Sequence, residues 1–156
     1  MNNNVVQPSP VDTLNGGNPR VPQIDTEALH EAFELDARST SAAEARHRTL
    51  AWLLRHPIGE DAVEAAVLVI SELVTNAVVH SGSSVIRCAL LLCNGLLHIE
   101  VTDQGTGQEE PIVREPAADE ASGRGLLLVN AVSRAWGIVP ATPSGRTVWA
   151  TLSTED

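Results

Sequence analysis

Ser71-Glu72-Leu73-Val74-Thr75-Asn76-Ala77-Val78-Val79-His80-Ser81 is the stretch from which the rest of the chain is read. It closes a helical pattern that runs from Glu60 to His80. At about 100° per residue, Val63, Ala66, Val67, Ile70, Leu73, Val74, Ala77 and Val78 fall in one wide apolar arc. Glu72, Asn76 and His80 recur every four residues, which overshoots one turn by only about 40°. They form a polar stripe at the edge of the arc, where polar groups can line a cavity beside the core. A carboxylate and an amide one turn apart can hold Mg²⁺ and activate a hydroxyl, because magnesium takes oxygen ligands and few of them from protein. Taken alone, the stripe reads first as the solvated edge of an amphipathic helix. His80 can orient Asn76, or simply sit at the helix end where positive charge is favourable.

Two glycine motifs follow in order. Asp103-Gln104-Gly105-Thr106-Gly107 comes after an apolar run. A buried carboxylate there can accept a hydrogen bond from a base amino group, and Gly105 and Gly107 let backbone approach a ring or a phosphate. The same five residues also suit an ordinary surface turn. Gly123-Arg124-Gly125 precedes a predicted helix from Leu126 to Ala135, where free N–H groups make an anion site. A flexible hinge has the same composition. No piece decides the matter, but the ordered set describes a nucleotide pocket.

Outside these motifs the chain reads as alternating strands and helices. Ala32 to Leu35 predicts a short strand. Ser41 and Glu44 fit a capping box for a helix from Ala42 to Arg55, stopped before Pro57. Ser84 to Cys93 and Leu96 to Thr102 are strand-like, and Asn94-Gly95 between them is the preferred two-residue hairpin turn. Residues 104–122 predict a long loop, a lid or a disordered segment in a domain of this size. Trp136 to Val139 and Arg146 to Leu152 predict two closing strands around Pro140 to Gly145. Trp52, Trp136 and Trp149 are expected in the core. Residues 1–28, with four prolines, Gly16-Gly17 and no apolar periodicity, predict a disordered tail, which leaves 29–156 as the folded domain. The expected architecture is α+β, a two-layer sandwich with helices on one face of a mainly antiparallel, mixed sheet.

Composition narrows the chemistry. The 156 residues suit one domain, and 43% hydrophobic content supplies a core. A net charge of −10 argues against nucleic acid, which needs a basic face. All ten cations are arginine, so no Walker lysine, strand lysine or Schiff base is available. Any bound phosphate must be held by backbone N–H groups, arginine or a metal. Cys88 and Cys93, five apart in one strand, point to opposite faces and cannot pair. With no signal-peptide pattern and no run of 18 apolar residues, the expectation is a reduced, cytoplasmic setting without membrane contact.

Together these residues resemble the GHKL superfamily of ATP-binding domains, the Bergerat fold. Glu72-x-x-x-Asn76-x-x-x-His80 is similar to its N box, Asp103-x-Gly105-x-Gly107 to its first glycine box, and Gly123-x-Gly125-Leu126 to its second. More narrowly, the 71–81 stretch, Gly145-Arg146-Thr147-Val148-Trp149-Ala150 and Phe33-Glu34-Leu35-Asp36-x-Arg38-Ser39 resemble the small bacterial anti-sigma-factor serine/threonine kinases and their single-domain regulatory relatives. The resemblance spans about residues 30 to 152. It implies ATP and Mg²⁺ as cofactors, Asn76 as magnesium ligand and Glu72 as general base. It implies Asp103 as reader of the adenine amino group, with Thr147 assisting. It places His80 and Leu126 in the nucleotide-binding boxes, and Gly105, Gly107, Gly123, Arg124 and Gly125 around the phosphates. The acidic stretch Gln108-Glu109-Glu110 departs from a phosphate-contacting lid. The implied function is partner switching, in which the kinase binds a sigma factor or phosphorylates a small antagonist protein. A homodimer is compatible with it. The alternative is a nucleotide-dependent binding module without phosphotransfer.

Overall fold

Asn94 and Gly95 take φ of 54° and 76°. Those are the paired left-handed residues that a tight hairpin needs to match strand twist. The turn joins β2 (Val85–Cys93) to β3 (Leu96–Asp103). This computed structural model describes residues 28–80, 82–105 and 121–155. The predicted tail, apart from Ala28, and residues 106–120 of the predicted loop lie outside the described residues.

The chain runs β1 (Leu29–Asp36), α1 (Ser41–Leu53), α2 (Glu60–His80), β2, β3, α3 (Ala121–Val132), β4 (Ala135–Pro140) and β5 (Arg146–Ser153). The five strands form one sheet in the order β1-β2-β3-β5-β4, and every pair is antiparallel. The expected α+β sandwich is the observed fold. The parallel component of a mixed sheet is not needed, because each neighbour is reached by a hairpin or by a crossover that reverses direction. β1 is longer than predicted. Its first residues are exposed or polar and carry no alternation, yet they pair with Leu90, Leu91 and Leu92 of β2.

One core lies between the sheet and the helices. Phe33, Leu35, Ile86, Leu90, Leu97, Ile99, Val101, Val148, Ala150 and Leu152 from the strands meet Leu53, Ile70, Leu73, Val74 and Val129 from the helices. The central helix α2 is apolar enough by length and composition to cross a membrane, with mean hydropathy 1.8 over its best window, but half of that window is buried in this core. Alternation along a strand puts successive side chains on opposite faces. The face away from the helices therefore carries Thr102, Thr147, His98, Glu100 and Trp149. Trp52 and Trp136 join the helix-side core, whereas Trp149 is buried on this second face, tilted over the His98 ring at 5.7 Å. Cys88 and Cys93 also fall on opposite faces, and burial pushes the Cys88 thiol up to about 12, which leaves it unreactive.

The capping box does not form. Thr40 is the residue at the N-cap of α1 and makes no side-chain cap bond. The Ser41 hydroxyl instead donates to the Asp36 carbonyl and accepts from Arg38 N–H at 2.9 Å. It ties the strand end to the helix start, a local bond that competes with capping.

Candidate functional site

The site is built where α2 packs over β3 and β5. Asn76 is the single polar residue among the nine buried on α2, with 5% exposure. A buried amide costs stability unless it is hydrogen-bonded, so an asparagine among apolar residues stands out on this helix. Glu72, one turn earlier, is half-buried, and His80, at the last turn, is exposed. The stripe thus runs from half-buried carboxylate to buried amide to exposed imidazole. Arg46 of α1 donates to Ser71 Oγ at 2.9 Å, which ties α1 to α2 one residue before Glu72.

Helix α3 closes the site against Glu72. It begins at Ala121, not after the glycines, so Gly123 lies in its first turn and Gly125 one turn in. This corrects the expected turn at Gly123-Arg124-Gly125. The low helix propensity of glycine is overridden by packing, because Gly125 is buried and a Cβ there would lie 3.1 Å from Glu72 Oε2. The free N–H groups of the helix start therefore fall at and before Gly123. Leu126 is half-buried against the core. Gly107 lies outside the described residues, and the side chain of Arg124 is not among those described.

Asp103 ends β3 with 3% exposure, on the helix side of the sheet. Its Oδ1 accepts the Gly105 N–H at 2.9 Å, the bond that closes the turn. Its Oδ2 lies 3.6 Å from Arg146 Nε, close enough for an ion pair and too long for a direct hydrogen bond. Burial pushes the Asp103 carboxyl above its ordinary range, while Arg146 and the Gly105 N–H pull it back. Gly105 has φ of 63°, and a Cβ on it would lie 2.8 Å from Gly145 Cα. The Asp103 turn is thus seated directly on the glycine that opens β5, backbone against backbone.

The register separates Thr147 from this group. Asp103 pairs with Arg146, and Thr102 pairs with Thr147. Paired residues share a face, so Arg146 stands beside Asp103 and Thr147 faces away, its hydroxyl 2.7 Å from that of Thr102. The structure therefore sets Gly125 against Glu72, one turn from Asn76 on α2, and sets Gly105 and Arg146 against Asp103, with α2 packed on β3; Arg146, and not the expected Thr147, shares the Asp103 face. Strand parity could have found this. Val148, Ala150 and Leu152 mark the core face of β5, and counting back two from Val148 reaches Arg146.

The residues present fit a magnesium nucleotide. Among the described residues no cluster of three His, Cys, Asp or Glu is placed to hold a metal by itself. Asn76 would hold the cation through its amide oxygen, and the cation would offset charge on the phosphate oxygens. Asp103 supplies an inner acceptor, and the start of α3 supplies N–H donors.

Comparison with known proteins points the same way. The chain is similar to the crystal structure of the RsbU and RsbW domains of Rv1364c from Mycobacterium tuberculosis, with a TM-score of 0.60 and 23% identity. The match covers 80% of this chain but only 32% of that one, so this chain spans about a third of it. No curated protein sequence matches. Residues 35–152 match the family model described as the histidine kinase-like ATPase domain, a span that begins in β1, ends in β5 and contains every described residue of the site. With its fold, its acidic glycine turn and its Glu72–Asn76 helix accounted for in that span, this chain belongs to the family of histidine kinase-like ATPase domains.

Proposed function

We propose that the protein binds ATP with Mg²⁺ and transfers phosphate to a serine or threonine of a small antagonist protein, and so acts in the cytoplasm as an anti-sigma-factor-like switch. The observation that carries this is the placement of Glu72. Its side chain is half-buried, lies against Gly125 one turn into α3, and is one turn from Asn76. A base in that position can take the proton of an incoming hydroxyl while the helix start steadies the phosphate. Bound Mg·ATP supplies the transferable phosphoryl group, and the cation offsets charge on its oxygens. Asn76 would hold the cation and Asp103 the base. The anti-sigma part of the reading rests on the sequence resemblance at 33–39, 71–81 and 145–150.

Glu72→Gln tests it. The amide keeps the shape and cannot take a proton. Single-turnover transfer from γ-labelled ATP to a panel of candidate antagonist proteins should fall about 10²- to 10⁴-fold, with ATP affinity nearly unchanged. Transfer at the wild-type rate would remove Glu72 as the base. ATP binding with no transfer by the wild-type protein would leave a nucleotide-gated binding module.

A further inference from the structure

We propose that Arg146 is a second base-reading residue, paired with Asp103: the carboxylate accepts from the exocyclic amino group and the guanidinium donates to the adjacent ring nitrogen. The inference rests on the ATP-binding reading of the site and deepens it. Three observations carry it. First, the register places Arg146 on the same face as Asp103, directly across the β3–β5 ladder. Secondly, Arg146 Nε lies 3.6 Å from Asp103 Oδ2, an ion-pair distance that sets the guanidinium, with its five N–H donors, beside the carboxylate. Thirdly, the Arg146 side chain is 24% exposed whereas Asp103 is 4% exposed, so the arginine reaches outward from the buried acid toward solvent-accessible space.

The backbone around the pair is fixed. Gly145 has φ of 86°, and a Cβ on it would lie 2.1 Å from the Asp103 carbonyl oxygen. Arg146 follows Gly145 directly, so its Cα cannot move away from Asp103 without opening the strand pair. Planar guanidinium and carboxylate groups held side by side present a donor and an acceptor at one edge. The matching edge on a purine has an amino donor next to an unprotonated ring nitrogen, the pattern of adenine. A six-oxo purine presents the reverse pattern at those two atoms.

The test compares ATP, an ATP analogue with carbon in place of the ring nitrogen next to the amino-bearing carbon (1-deaza-ATP), and an analogue without the amino group (purine riboside triphosphate). Each is titrated with Mg²⁺ into the wild-type protein, Arg146→Met and Asp103→Asn. Arg146→Met keeps much of the length and apolar stem without donors. For the wild type, loss of the ring nitrogen should weaken binding about 10- to 100-fold, the worth of a hydrogen bond to a charged group. In Arg146→Met, ATP should bind weaker by a similar factor, and the penalty for the deaza analogue should disappear. An equal penalty in wild type and Arg146→Met overturns the proposal, since Arg146 would then act on Asp103 alone. The amino-group penalty, compared between wild type and Asp103→Asn, reports separately on the Asp103 reading. If the wild type binds none of the three nucleotides, both readings fall together.

Discussion

Asp103 is a carboxylate placed where its charge is unfavourable to the ligand-free fold. Burial raises its pKa, with the Arg146 cation only partly opposing the shift. The sign follows from proton linkage. The unfolded chain ionises first, near the ordinary value of about 3.9, and the folded chain ionises at higher pH. Stability therefore falls as pH rises through the window between those two values, and is flat above it. Asp103→Asn removes that penalty and leaves Arg146 partly hydrated. The ligand-free variant should melt no lower than wild type at pH 7, and the difference should shrink as acid protonates Asp103 in the wild type; calorimetric melting across pH checks this. A variant that melts well below wild type at pH 7 would show that the ion pair outweighs burial. The same residue marks the limit of what the sequence shows. Asp103 was legible because acid, glycine and glycine stand in one short run. Arg146 was not, because Arg146 and Thr147 are adjacent, and only the strand register says which of the two faces the acid.

Two glycines work at the scale of elements, in different ways. Gly145 joins the β4–β5 turn to the Asp103 turn, and its φ of 86° is one that alanine tolerates poorly. Gly145→Ala adds a carbon 2.1 Å from a backbone oxygen, which no side-chain rotation relieves. It should destabilise by about 2–4 kcal/mol, read from the denaturant midpoint. Gly125 differs because it lies inside α3. Alanine is the better helix former by about 1 kcal/mol, yet its methyl would press on Glu72 Oε2 from 3.1 Å. Gly125→Ala should keep or raise the melting temperature and still lower phosphotransfer about tenfold or more, because the base is displaced by a few tenths of an ångström. Unchanged single-turnover rates would show that the Glu72–Gly125 contact has no catalytic consequence. The helix α2 was legible end to end from its periodicity, and the hairpin from Asn94-Gly95. The start of α3 was not, because Gly123 and Gly125 read locally as a turn, and the close approach of Glu72 to Gly125 appears only in the packed structure. The capping box at Ser41 failed for a comparable reason. Its hydroxyl has a closer partner in the Asp36 carbonyl, which lies outside the four-residue window that defines the box.

The whole molecule is a sheet with one core, and the candidate site residues come from three elements, α2, α3 and the β3–β5 pair. A ligand that touches all three should stabilise the fold as a unit. At a hundred times the dissociation constant, binding adds about 2.7 kcal/mol. For a domain of this size that raises the melting temperature by about 5–10 °C. Removing Mg²⁺ with a chelator should abolish most of the shift, since Asn76 would then face phosphate oxygens without the cation between them. Architecture and helix-side core were readable from apolar patterning, which is a property of many residues at once. Burial of the second sheet face was not. His98, Glu100 and Trp149 are polar or amphipathic, and two of the contacts there, His98 Nδ1 to Thr151 Oγ1 at 3.2 Å and the His98 ring to Trp149, come from cross-strand placement. The account depends most on the pocket being a nucleotide site that Asp103 reads. Isothermal titration of Mg·ATP into wild type and Asp103→Asn tests that directly. The account predicts saturable binding of one ATP per chain by the wild type and affinity lower by about tenfold or more in the variant. Equal affinity in the two proteins, or no binding by the wild type, would contradict it.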